Sequence, residues 1–535
     1  MIAAVFPYSS ELTTGDGMGE TNSAPDPGRA DFELGDLARW FFVPWMTMRR
    51  CQPPRKLYLA VVLGGVIVTG ALETKADSTS GPMHSDPLVV TATRIEQSEF
   101  DLPFSIDSIG RQNIHDQQPR VNLSESLVRV PGVVAQPRQN YAQDVQISIR
   151  GFGARASFGI RGIRLLADGI PATMPDGQGQ AATFDLDSAQ RIEVLRGPFS
   201  AIYGNASGGV IQIFSAAGPT PPIVEAGLMT GSFGTTRAGV KTGGEQGSLN
   251  TLITGSRFDS DGYRDHSAVT RDTAFTRLRW RTEAGTRVTL LADTLHQRDT
   301  QDPLGLTRAM LEQDPRQAGS GAESFNTRKS IGHAQVGLTL EQRPATNTTL
   351  AFTGYGGQRD VRQYLAFAGA GPTQSGGVVD LDRGFYGLGV RWTQRLSLAE
   401  QPLTLTLGAD HNDMAERRRG FVNDNGIAGD LRRDEDDRVY DLDQYMQLEW
   451  VLAPRWHLSA GLRHSRVVFD SKDYYITGPS NPDDSGGAVY EKTNPMLGWL
   501  FAWRETVNFY INAGQGFETP TFAELAYRPD GSAGL

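Results

Sequence analysis

Cysteine is almost absent: Cys51 is the only one in 535 residues. That excludes a disulfide framework and a cysteine-based zinc site. An excess of base is also missing. The chain carries 51 Lys plus Arg against 61 Asp plus Glu, a net charge of −10, so it lacks the basic footprint that a nucleic-acid backbone requires. No Gly-rich phosphate loop, H-E-x-x-H run or nucleophile elbow stands in a catalytic context, so no enzyme and no cofactor are expected. The eight histidines are scattered, and His411 beside Asp410 and Asp413 reads as a solvated cluster rather than a metal site. Long apolar runs are missing too, with one exception near the N-terminus. A mean hydropathy of −0.35 therefore suggests solubility, but a transmembrane β-barrel needs only every second residue to be apolar. What the chain does have is glycine, 61 residues, and a composition of 39% hydrophobic and 21% charged residues, too apolar for disorder.

The exception runs from Leu57 to Leu72, behind Arg49, Arg50, Arg55 and Lys56 and ahead of Thr74-Lys75-Ala76. This is the layout of a secretory signal peptide over residues 48–76, with cleavage after Ala76. A run of about 16 residues is short for a membrane-spanning helix, and the basic residues before it argue against a buried one. A signal needs its basic region at the chain start. Residues 1–47 are therefore expected to be a spurious extension, with Met46 or Met48 as the true first residue.

From Pro82 to Ser215 the pattern is mixed α/β. Helical turns are expected over Asn122–Arg129, capped by Asn122 or Ser124 and ended by Pro131-Gly132. Strands are expected over Val145–Ile149, Ile163–Leu166, Arg191–Pro198 and Gly208–Ile213. Beyond Ile223 helical periodicity gives way to period-two segments, among them Thr270–Arg281, Thr348–Tyr355, Leu403–Ala409, His457–Arg463 and Val507–Ala513. Over Gln444–Trp450 the phase is mixed. Tight turns are expected at Glu283–Gly285, Arg343–Thr346 and Ala453–Arg455. Long loops are expected at Asp299–Ser324, Gln358–Val379, Ala415–Arg438 and Asp470–Tyr490. Short turns at one end and long loops at the other suit an outer-membrane barrel better than a soluble sandwich or propeller.

The motifs then add a resemblance. Asp86-Pro87-Leu88-Val89-Val90-Thr91-Ala92 resembles a TonB box. Four plug motifs follow in order: V-Q-I-S-I-R-G-F-G at Val145–Gly153, L-A-D-G-I-P at Leu166–Pro171, R-I-E-V-L-R-G-P at Arg191–Pro198, and Y-G-N-A-S-G-G-V-I-Q-I at Tyr203–Ile213. Gly514–Leu525 resembles a late-barrel signature. Together these look like a TonB-dependent outer-membrane receptor, and the run Arg161–Gln180 is similar to the plug of its YncD-like branch. The resemblance implies a membrane β-barrel with an N-terminal mixed α/β plug inside the lumen. It divides the chain into a periplasmic segment with the TonB box (77–94), a plug (95–217) and a barrel (223–535).

Such a barrel has 22 strands. About 13 can be counted here, so the chain is expected to be truncated by roughly 150 to 200 residues, with an incomplete barrel.

The same resemblance implies active import across the outer membrane, driven by TonB and its inner-membrane ExbB–ExbD complex in a setting of outer-membrane lipid and lipopolysaccharide. An iron–siderophore complex is the leading cargo. A quinone-type organic cofactor is the alternative, and a surface attachment protein or a non-functional remnant are further readings. Arg155, Thr173, Met174, Asp176, Gln178 and Gln180 are expected to face the substrate, against the plainer reading of a rigid Gly/Pro turn. Arg150 and Arg196 are expected to pair with Glu449 and Glu518 between plug and barrel.

Overall fold

Thirteen strands run from Ile223 to Gly514, each hydrogen-bonded antiparallel to the next in chain order. The computed structural model describes residues 89–90, 97–137, 140–154, 159–197, 199–371 and 373–525. The residues expected to form the N-terminal extension and the signal peptide lie outside these, as do Asp86, Pro87, Leu88, Thr91, Ala92 and Arg155.

Alternation decides which way each strand faces. Asp441 and Asp443 are 3% and 4% exposed while Leu442 and Met446 between and beyond them are 44% and 46% exposed. Polar side chains point inward and apolar ones outward, the arrangement a bilayer imposes. This resolves the phase of Gln444–Trp450: Tyr445, Gln447 and Glu449 belong to the inward set. Near the short turns Trp456 stacks on Phe501 at 4.3 Å and meets Trp499 edge-on at 5.6 Å, and Trp503 lies 6.0 Å from Phe509. Aromatics at this level form an interfacial girdle. Among the described residues no helix is long and apolar enough to cross a membrane.

The turns at Glu283–Gly285 and Pro454–Arg455 are short, and the one expected over Arg343–Thr346 falls at Thr346–Asn347. Long connections follow Gln301, Tyr364 and Asp473, the first carrying a short helix Arg308–Gln313 capped by Thr307. The expected loop Ala415–Arg438 is instead an extended hairpin of strands Gln401–Asp424 and Ile427–Ala453. The sheet is open, with Ile223–Thr230 and Val507–Gly514 at its two edges.

The plug is built on a five-stranded mixed sheet in the order Ile106–Gly110, Ala189–Arg196, Gly209–Ser215, Ile163–Ala167 and Ile170–Pro171. Ile163–Ala167 runs parallel to Gly209–Ser215, and the other pairs are antiparallel. Ile149, Ile163, Leu165, Ile192, Val194 and Ile211 form its fully buried core. The helical turn at Ser124–Leu127 is not capped by Asn122 or Ser124. Glu125 reaches back and accepts from the N–H groups of Arg120, Val121 and Asn122 at 2.6, 3.0 and 2.8 Å, fixing the chain that leads into the helix.

Two inward glycines are roofed by tyrosines from the paired strand. Tyr355 stands opposite Gly387 and Tyr445 opposite Gly408. A Cβ at Gly387 would lie 2.4 Å from the Tyr355 ring, and Tyr355 is held there by its hydroxyl donating to Asn412 Oδ1 at 2.6 Å. Gly387→Ala is therefore expected to destabilise the barrel by about 1–3 kcal/mol through overpacking. Heat modifiability on a denaturing gel would check this, and an unchanged unfolding temperature would contradict it.

Candidate functional site

The chain leaves the plug sheet through Asp168 and Gly169, both at positive φ (49° and 85°), and turns back into Ile170–Pro171. Asp168 is fixed by the Ser215 N–H, which donates to its carboxylate at 3.0 Å. The next nine residues fold into a small hairpin. Gln180 N–H donates to Ala172 O at 3.0 Å, and Met174 N–H to Gln178 O at 3.0 Å. Thr173 Oγ1 accepts from Leu165 N–H at 2.8 Å. The hairpin tip is Pro175-Asp176-Gly177, with Gly177 at φ 84°.

The hairpin is seated in the barrel wall. Thr173, Met174, Asp176, Gln178 and Gln180 are all buried. Met174 packs with Phe385, Met414, Val439, Phe469 and Phe522. Gln178 Oε1 accepts from Arg383 at 2.8 Å and from Gln180 Nε2 at 3.2 Å. Arg383 is itself ion-paired with Glu416 on the neighbouring strand. Burial pushes the Asp176 carboxyl above its ordinary range, with Arg383 pulling the other way. The segment after the last strand completes the junction: Asn205 donates to Thr519 Oγ1 at 2.8 Å and accepts from Thr519 N–H at 3.0 Å. Of the residues expected to face a substrate, Thr173, Met174, Asp176, Gln178 and Gln180 face a packed plug–wall junction. The reason is the complementary apolar and ionic surface that the wall offers them.

The expected ionic pairs are replaced by others. Arg196 binds Asp107 at 2.5 Å and the Pro131 carbonyl at 2.6 Å. Asp107 sits opposite Val194, so it lies diagonal to Arg196 on the same sheet. Arg150 is exposed at a left-handed turn position, φ 52°. Glu449 accepts from Gln447 at 2.9 Å and from Ser459, both in the barrel wall. Glu518 does contact the plug, but through Arg161 at 3.0 Å and Ser207. Arg161 also binds Glu524 and the Thr519 carbonyl.

Sequence reasoning missed the inward arginines of the barrel. Arg463 donates to the plug carbonyl of Ile202 at 2.8 Å and to Asp443 at 2.5 Å. Arg271 donates to Val121 O at 2.8 Å, and Arg237 pairs with Asp187. The available signal was an arginine inside a period-two strand, since a lipid-facing charge is costly and must turn to the lumen. Outside the plug, Asp302 accepts from Asn140 and Gln143, each at 2.5 Å, tying the loop after Gln301 to the plug. Among the described residues no group of three His, Cys, Asp or Glu is placed to hold a metal ion.

A plug domain followed by an antiparallel barrel is also the domain order that family comparison finds. The TonB-dependent receptor plug domain profile matches residues 98–210, and the TonB-dependent receptor-like β-barrel profile matches residues 231–534. The chain belongs to the TonB-dependent receptor family. It is 35% identical over 159 residues to a hemin receptor of Yersinia pestis, covering 29% of this chain and 22% of that protein.

Among solved structures, the unliganded ferric citrate transporter FecA superposes with a TM-score of 0.69 at 20% identity, covering 79% of this chain and 64% of FecA. The ferric yersiniabactin uptake receptor FyuA of Yersinia pestis gives 0.65 at 18% identity, covering 81% of this chain and 67% of that one. These likenesses show the fold. This TonB-dependent receptor thus spans less than a quarter of the hemin receptor and just under two thirds of FecA. The family is one of outer-membrane receptors and transporters.

Proposed function

We propose that this TonB-dependent receptor imports an iron chelate of siderophore or hemin type across the outer membrane, with energy delivered through TonB and ExbB–ExbD. The observation that carries the reading is the docked plug. Its hairpin is fixed in the wall by the Gln178–Arg383–Glu416 contacts and a buried apolar cluster, so cargo crosses only if work is done on the plug. The roles of the relatives, hemin reception and ferric citrate or ferric yersiniabactin uptake, support the cargo class. In this reading residues 48–76 direct export and 77–94 form a periplasmic arm. Within the arm, Val89–Val90 already forms a two-residue strand paired with Gln97–Ser98. An extended segment of this kind recognises a partner by adding to its sheet edge.

The test is uptake of radioiron-labelled hemin and ferric citrate by cells carrying Val89→Pro with Val90→Pro. Proline removes the N–H groups that strand addition needs. Uptake is expected to fall to the level of cells lacking the receptor while surface binding persists. Uptake that survives both the prolines and a protonophore would point to a passive pore.

A further inference from the structure

Toward the short-turn end, a cavity of roughly 730 Å³ lies between the plug sheet and the inward faces of the strands from Val269–Arg281 to Ile427–Ala453. Its volume falls within the range of ligand sites. Its wall is chemically one-sided: eight arginines and no lysine, against three carboxylates, Asp168, Glu341 and Asp410.

Those carboxylates are already engaged. Glu341 is shared by Arg287 and Arg343 at 3.4 and 3.5 Å. Asp410 binds Arg463 at 2.9 Å, and Asp168 accepts from the Ser215 N–H at 3.0 Å. Arg277 donates to the carbonyls of Ser215 and Ala216 at 2.7 and 2.8 Å. Arg191 pairs with Glu193 and lies 3.9 Å over the Phe214 ring.

The side chains of Arg164, Arg279, Arg391 and Arg395 make no hydrogen bond or ion pair with any described residue. Arg164 is the most telling of these. It projects from the plug strand Ile163–Ala167 and is 6% exposed, although only longer-range attraction, such as that to Asp441, acts on it. A cation this buried is costly unless an anion or ordered water completes it. One guanidinium fork comes from the plug and three from the wall, and each matches a carboxylate bidentately. Tyr355, Tyr445 and Phe214 supply flat apolar surface beside them.

We propose that this chamber is a binding site for a small polycarboxylate, a station that receives an anionic chelate after the plug hairpin has released. The proposal rests on the import reading for its purpose but not for its test. The purified receptor in detergent is titrated calorimetrically with citrate as the anionic probe and glycerol as the neutral one. Citrate is expected to bind, with affinity that falls as salt rises. Arg279→Gln with Arg391→Gln is expected to weaken binding roughly tenfold or more, and the Lys pair at the same positions to recover part of it. Should the Gln pair fail to fold, Arg391→Gln with Arg395→Gln applies the same criterion at more solvent-accessible positions.

Citrate affinity unchanged by the Gln substitutions, or a wild-type receptor that binds citrate no better than glycerol, overturns the chamber. The titration contains neither TonB nor a proton-motive force, so that result leaves the import reading standing. Citrate binding that depends on these arginines, in a receptor whose uptake ignores the Val89 and Val90 prolines, upholds the chamber and removes the import reading.

Discussion

Arg383→Ala is expected to weaken docking of the plug hairpin by about 3–5 kcal/mol, the usual consequence of removing one partner from a buried charge pair. Arg383 stands directly opposite Glu416 in the strand register and is bonded to it. Its other arm reaches the plug at Gln178, and its field acts on Asp176. One guanidinium therefore neutralises a wall carboxylate and a plug carboxylate, both almost fully buried. Alanine leaves both without a cation. Hydrogen exchange over residues 172–180 is the direct measurement, with protection expected to fall in that segment while the plug sheet stays protected.

The deficit should also depend on pH in a definite direction. Burial raises the Asp176 carboxyl above its ordinary range in the folded protein. The native state then holds its proton more tightly than the unfolded chain. The stability this group contributes is complete below the unfolded value of about 3.9 and is lost as pH rises through the raised folded value. Arg383 opposes that rise, so in Arg383→Ala the folded value climbs further and the window widens. The variant should be weakest at neutral pH and recover as pH falls toward about 4. Asp176→Asn should remove this plug-side part of the pH dependence and rescue part of the Arg383→Ala loss. A deficit that is small and flat with pH would show that Arg383 serves the wall alone.

The hairpin Gln401–Ala453 shows why part of the fold was not legible. Its outer reach pairs Arg417, Arg418 and Arg419 with Asp436, Glu435 and Asp434 across the strands. Arg417 bonds Asp436 at 2.8 Å and Asp434 at 2.6 Å. Opposite charges facing one another stabilise a ladder as well as apolar pairs do. Such a stretch has no hydrophobic alternation, so charge density was read as a loop. Within the apolar belt the period-two signal is intact, and the strands His457–Arg463 and Val507–Ala513 lie inside observed strands Trp456–Asp473 and Val507–Gly514.

The plug was legible for another reason. Its strands are short, contiguous and punctuated by glycines, as at Gly209, where φ is 152° and a Cβ would lie 2.2 Å from the Leu195 carbonyl oxygen. Partner choice was not legible. Arg383 and Gln178 are 205 positions apart, and only the docking of the plug against the wall brings them together.

Arg463→Met is expected to cost a further loss of similar size, about 3–5 kcal/mol, at a second anchor between plug and wall. Arg463 is 2% exposed. It donates to the Ile202 carbonyl at 2.8 Å, within the plug helix Ser200–Tyr203, and to Asp443 and Asp410 at 2.5 and 2.9 Å. Its guanidinium also lies 5.0 Å from the Tyr445 ring centre. Methionine keeps much of the stem volume and removes the head, so the loss reports the charge and its bonds rather than a cavity.

The chain is threaded closely here. Gly204 has φ 81°, and a Cβ on it would lie 2.7 Å from Asp443 Oδ2 and 3.3 Å from Arg463 Nε. Gly204→Ala should therefore loosen the same anchor by about 1–3 kcal/mol without touching a charge. Both variants are expected to admit large hydrophilic antibiotics into cells, because a plug released from the wall no longer seals the lumen. Asp443→Asn is expected to relieve Arg463→Met, since it removes a carboxylate left buried without its cation, and not to relieve Gly204→Ala to the same degree. A lowered unfolding temperature without antibiotic entry would place Arg463 in the stability of the wall and take it out of plug retention.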